Sequence, residues 1–164
     1  MDITKIKFEK PDAVSTVRGG VFAPGVNGTI KFYNTPGGTV VKVDICGLPP
    51  FRPALQGSQP VGPFGFHIHE GSTCNLGDGT NPFAGAGGHY NPKKQPHGNH
   101  AGDLPVLFSN NGCAYMVFFT DKFRAKDIIG RTVIIHQNPD DYRTEPAGNS
   151  GPRIACGVIV RYVK

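Results

Sequence analysis

Residues 65–70 read Gly65-Phe66-His67-Ile68-His69-Glu70, and the alternation within them sets the fold. In a strand, successive side chains leave on opposite faces. His67 and His69 therefore share a face, with Cβ atoms about 7 Å apart, two strand rises. Ile68 between them points the other way, toward a core. Imidazole suits copper, zinc, iron and nickel. Taken alone, the pair reads more simply as two surface residues of a strand.

The remaining histidines change that reading. His89, His97 and His100 crowd into GGHYNPKKQPHGNHAGD, residues 87–103, which ends in Asp103; His136 closes the apolar run TVIIH, 132–136. No histidine is left over for packing or solubility. The 87–103 stretch is rich in Gly, Pro and Asn and reads as a loop. Three imidazoles and one carboxylate suit a closed four-coordinate zinc site. Two neighbouring clusters together with His136 point to a centre larger than one ion.

Outward from this core the chain reads as all-β. It has 164 residues, 23 glycines, 15 prolines and 18% charged residues, which favours many turns and few charged helices. The length fits a single domain over 1–164 with a real core. Strands are expected at about 14–22, 28–34, 38–46, 64–70, 103–109, 113–120, 131–136 and 154–163. NTPGGT and NNG read as turns between neighbouring strands. DKFRAKDIIG, 121–130, has short helical character and reads as a crossover. Eight strands with long metal-binding and channel loops fit a Greek-key sandwich or flattened barrel.

Five motifs in order, GFHIHE, GGHYNP, HAGDLP, IIH and GPRIACGVI, make the chain resemble the copper/zinc superoxide dismutases. The resemblance runs from about Val14 to Tyr162. GSTC after HIHE and DDYRTEPAGNSG before the last motif are similar to the bacterial branch. Copper/zinc superoxide dismutases are themselves a standard example of such β-sandwiches. The resemblance implies copper on His67, His69, His89 and His136, and zinc on His89, His97, His100 and Asp103, with His89 shared. It implies that Asp140 joins a copper-side histidine to a zinc-side one, that Arg153 stands beside the open copper position, and that Cys74 pairs with Cys156. The implied reaction converts superoxide to dioxygen and hydrogen peroxide by copper redox cycling, with Arg153 docking the anion and His89 handling a proton. The alternative is a non-catalytic metal-binding or structural relative on the same fold.

Several features stand apart from that pattern. Cys46 and Cys113 have no counterpart in it and read as small apolar residues on strands, a bond between them being the lesser reading. Only Gly98 and Asn99 separate His97 from His100, so this loop must turn tightly, and Gly98 can supply an unusual φ. LPPFRPALQGSQPVGP, 48–63, reads as an ordered surface loop of unassigned use. Arg143 and the Lys93–Lys94 pair are candidate steering charges, more simply read as solvated. The net charge of +5 is dispersed, with no basic stripe or interleaved aromatics, which argues against nucleic acid. No stretch approaches a membrane span. The opening MDITKIKFEKPDAVS lacks an apolar core of signal length, a cytoplasmic reading, whereas the bacterial resemblance implies export after signal removal. The implied disulfide fits an oxidising compartment and the two further cysteines a reducing one, so the compartment stays open. Homodimer and monomer also both stay open.

Overall fold

The computed structural model describes residues 8–77 and 79–163; residues 1–7, read above for a signal, lie outside them. Seven strands form one antiparallel sheet: β1 (Ala13–Gly19), β2 (Asn27–Thr35), β3 (Gly38–Cys46), β4 (Phe66–His69), β5 (Ala114–Thr120), β6 (Thr132–His136) and β7 (Arg153–Arg161). Their spatial order is β4-β6-β7-β1-β2-β3-β5. One short helix, α1 (Ala125–Ile128), lies in the β5–β6 crossover. The Arg124 amide donates to the Asp127 carboxylate at its start. Among the described residues no helix is long and apolar enough to cross a membrane.

The β2–β3 hairpin turns at Pro36-Gly37, with Thr35 opposite Gly38. Gly37 has φ +85°, the left-handed region that its missing Cβ makes accessible. Inward residues of the sheet and of the segment after Gly102 form one core, including Phe32, Phe64, Phe66, Ile68, Leu107 and Ile135. A smaller cluster of Phe83, Ala86, Ile134 and Cys156 lies on the other face of β6 and β7.

One of the eight expected strands, 103–109, is not formed. The segment touches β4 only through isolated antiparallel bridges, His67 with Asp103 and Phe64 with Leu107. Pro105 between these bridges has no N–H to give to a ladder. Asp103 is turned into the histidine cluster. The curled sheet therefore stays open between this segment and β5, where a cleft is lined by Leu104, Pro105, Phe118 and Phe119.

Cys46 and Cys113 differ from the sequence reading: they are bonded to each other. Cys74 and Cys156 are bonded too, as the resemblance implies. The first pair follows from register: Ile45 faces Ala114 across β3 and β5, so the next residues outward, Cys46 and Cys113, are opposed. Their 67-residue separation hides that register from sequence. The second pair, 82 residues apart, ties the loop after β4 to β7. Closing a loop of this size contributes about 4–5 kcal/mol in the chain-entropy account.

The 48–63 loop is ordered by backbone pairing of Arg52 with Val61, and the Gly62 amide donates to the Gln137 carbonyl. It thereby buttresses the loop that follows β6.

Candidate metal centre

Strand β4 sets the site. Phe66 and Ile68 face the core, and His67 and His69 leave on the opposite face. All four are buried, because loops 87–103 and 137–152 cover the outer face. The first loop folds along the free edge of β4. The Tyr90 amide donates to the Ile68 carbonyl, and the Ile68 amide donates to the Gly102 carbonyl. A Cβ on Gly102 would stand 2.2 Å from the Ile68 carbonyl oxygen, so only glycine permits this approach. The result seats His89 beside His69 and Asp103 beside His67.

His136 arrives from β6, on the face opposite Ile135. The register of β6 against β7 runs Ile135 with Ala155 and then His136 with Arg153, skipping Ile154. Bulges re-aim side chains in this way. Here the bulge puts Arg153 at the level of His136.

Two groups of donors result. His67, His69, His89 and His136 have ligand atoms within 4.8 Å of one another, as do His89, His97, His100 and Asp103. Every member is buried. Outward nitrogens are fixed by acceptors. His67 Nε2 donates to Asp140 at 2.6 Å and His97 Nε2 to the other Asp140 oxygen at 2.8 Å. His69 Nδ1 donates to the Gly87 carbonyl at 2.9 Å and His136 Nδ1 to the Gly151 carbonyl at 3.1 Å. A carbonyl can only accept, so these bonds fix the tautomers of His69 and His136 and leave each Nε2 with a lone pair. Those two Nε2 atoms face each other at 3.3 Å. Two acceptors aimed at one another call for a cation between them.

The inward nitrogens of the other rings tell the same story. His67 Nδ1, His89 Nε2, His97 Nδ1 and His100 Nδ1 are buried without a hydrogen-bond partner. Buried polar atoms left unpaired cost about 1–3 kcal/mol each unless something binds them. His89 Nδ1 bonds Asp103 at 2.8 Å, and its Nε2 is buried without a partner. It is the one residue common to both groups. Asp103 Oδ2 in turn accepts the Gly98 and His100 amides at 2.8 and 2.9 Å. The donor chemistry fits two metal ions sharing one imidazole.

Electrostatics agree. Burial, with the charges of neighbouring histidines, holds His67 and His69 well below the usual imidazole range. Burial pulls His136 down to about 3. Burial alone would raise the Asp103 carboxyl, but the His89 hydrogen bond, the His100 amide and nearby histidine charge outweigh it and lower its pKa. Neutral imidazoles and an ionised carboxylate are the ligating forms. Unfolded histidines titrate near 6.5, so between that pH and about 3 the unfolded chain binds more protons than the folded one. Metal-free protein should therefore lose stability as pH falls through this window. Thermal unfolding of the metal-free protein against pH checks it; an unfolding temperature indifferent to pH would count against the neutral assignment.

The copper/zinc superoxide dismutase family description (SODC) matches residues 26–159. The chain belongs to this family. A copper/zinc superoxide dismutase of Deinococcus radiodurans is 37% identical over 151 residues, covering 82% of this chain and 77% of the relative. One from Legionella pneumophila is 36% identical over 144 residues, covering 83% and 79%. Among solved structures, the copper/zinc superoxide dismutase of Brucella abortus superposes with a TM-score of 0.71 at 30% identity, covering 89% of this chain and 98% of that one. A double mutant of a SOD-like protein from Bacillus subtilis gives 0.70 at 30% identity, covering 90% and 96%.

Beside the donors lies a cavity of about 420 Å³ bounded by His69, His89, His136, Glu145 and Arg153. The Arg153 guanidinium is held by two carbonyls, Phe83 and Gly87, each at 2.6 Å. The Cys74–Cys156 bond anchors the loop that carries them. Lys93 lies apart, in a second hollow with Gln95, Asn99 and Lys122, and Arg143 is exposed. Sequence reasoning did not single out Glu145, Tyr142 or the carbonyls that grip Arg153. Glu145 and Tyr142 lie within DDYRTEPAGNSG, but backbone acceptors leave no signal in side-chain identity.

Proposed function

We propose that this chain is a superoxide dismutase holding copper through His67, His69, His89 and His136 and zinc through His89, His97, His100 and Asp103. The observation that carries this reading is the pair of buried donor sets joined at His89 and opening onto a cavity with a fixed cation. A redox-active copper supplies the one-electron exchange by which one superoxide becomes dioxygen and a second, with two protons, hydrogen peroxide.

The chain's own residues do the rest. Arg153, fixed by its two carbonyl acceptors, docks the superoxide anion against the open side of the first donor set. His89 borders the cavity and keeps Nε2 free of any protein acceptor, so that atom can hold a proton and pass it to the product. Asp140 spans His67 and His97 and keeps both rings in one tautomer and orientation. Asp103 supplies the negative charge that makes its set fit zinc.

Metal analysis of purified protein should find one copper and one zinc per chain, with rapid superoxide decay in the loaded form. Asp103→Ala should weaken zinc about tenfold or more, on the scale known for ligand-shell changes, while leaving copper nearly unchanged. Equal loss of both metals, or of neither, would refute the division of ligands. Full metal content without superoxide decay would favour the non-catalytic alternative.

A further inference from the structure

We infer that Glu145 is a positioning residue of the metal centre, fixing the backbone of His97 while placing a negative charge on the wall of the anion's cavity. This rests on the reading of His97 as a zinc ligand.

The His97–His100 loop is too short to define its own shape, with Gly98 and Asn99 as its only spacers. Its downstream half is set by Asp103, whose Oδ2 accepts the Gly98 and His100 amides. Its upstream half is set from another part of the chain. The His97 amide donates to Glu145 Oε1 at 2.7 Å, across 48 residues. The same loop holds the His97 ring, through Asp140 Oδ1 on Nε2 at 2.8 Å. His97 is thus gripped at ring and backbone by residues five apart.

The surroundings make this a clamp. Gly98 has φ +84°, and a Cβ there would stand 2.3 Å from the Tyr142 carbonyl oxygen. The two loops therefore meet without a side chain between them. Tyr142 extends the seam: its hydroxyl accepts the Val106 amide at 2.8 Å and donates to the Leu104 carbonyl at 3.1 Å. A charge-assisted bond from an amide to a carboxylate is about twice as strong as a neutral one.

Glu145 also borders the same cavity as Arg153 and is the one acidic side chain among its described lining residues. A carboxylate there opposes an incoming anion. Serving the anion alone would disfavour an acid at this place; holding the His97 amide accounts for it.

Copper- and zinc-loaded protein and its Glu145→Gln and Glu145→Ala variants separate the two effects, with His97→Ala as control. Zinc release is followed with a chromophoric chelator, and superoxide decay is followed against ionic strength. Glu145→Ala should release zinc about tenfold faster or more, the scale of one hydrogen bond to a charged group. Glu145→Gln keeps an acceptor oxygen but loses the charge, and its release should fall between the parent and Glu145→Ala. Both variants should raise kcat/KM at low salt, with the gain fading as salt screens the field. Parental zinc release from Glu145→Ala, or release from Glu145→Gln as fast as from Glu145→Ala, would overturn the positioning role. Unchanged low-salt kcat/KM in both would overturn the charge effect. Full zinc retention in His97→Ala would overturn the ligand assignment and this inference with it. Zinc loss there with parental release from Glu145→Ala would overturn only the role of Glu145.

Discussion

Replacing His89 with Ala should weaken both metals at once and nearly abolish superoxide decay. His89 belongs to both donor groups, with Nδ1 bonded to Asp103 and Nε2 buried without a partner. Losing a mere hydrogen-bonding partner of a ligand costs about 10–100-fold in metal affinity. Losing a donor from each of two sets should exceed about 100-fold for the pair. The spectroscopic signature is more specific than the loss of activity. In the parent, a ring shared by both sites would make the copper spectrum change when zinc is added. In His89→Ala that dependence should vanish. A spectrum and a rate that survive the substitution would refute a shared imidazole.

Substituting Arg153 should separate catalysis from metal storage. Burial lowers its pKa, yet a guanidinium stays charged at neutral pH. Arg153→Ala should keep both metals and lose about tenfold in rate, equivalent to about 1.4 kcal/mol of anion binding. Arg153→Lys should be intermediate. It keeps the charge but lacks the planar fork that satisfies Phe83 and Gly87 together. Arg153→Glu reverses the charge and should lose about a hundredfold, twice that energy. Added salt should slow the parent, since screening confines the field to about 10 Å at 0.1 M. Copper content must be measured beside the rate, because the Gly87 carbonyl also accepts from His69 Nδ1. Parental rates in all three variants, or a parental rate indifferent to salt, would remove Arg153 from the reaction.

What sequence conveyed about this molecule depended on how local the information was. The two-residue period of FHIH is local, and it placed His67 and His69 on one face. NTPGGT and NNG marked their turns because Gly37, Asn111 and Gly112 need positive φ, a property of residue type. The 103–109 segment has strand-like composition. Its failure to pair reflects Pro105 and the turning of Asp103 into the site, which only the assembled centre explains. Cys46–Cys113 depended on the β3–β5 register, set by the whole sheet. The gathering of the six histidines and Asp103 was legible through motif resemblance. The restraints on them were not: Gly87, Gly151 and Phe83 act through carbonyl oxygens that every residue possesses. Glu145 was not singled out, because its partner is a backbone amide 48 residues away.

The strand order carries a consequence for how the chain assembles. β7, the last of the described strands in chain order, lies inside the sheet between β6 and β1. Before it arrives, the earlier strands can form only two disconnected pieces, β4 with β6 and β1 through β3 with β5. The first piece carries His67, His69 and His136; neither holds Arg153. Pairing Ala13 with Arg161 closes nearly the full length of the chain. Such distant closure is slow and leaves unpaired edges exposed while it waits. The donor pocket is therefore completed only once β7 has been made. A ribosome stalled before residue 153 should present a chain whose histidines are present but have no finished pocket around them.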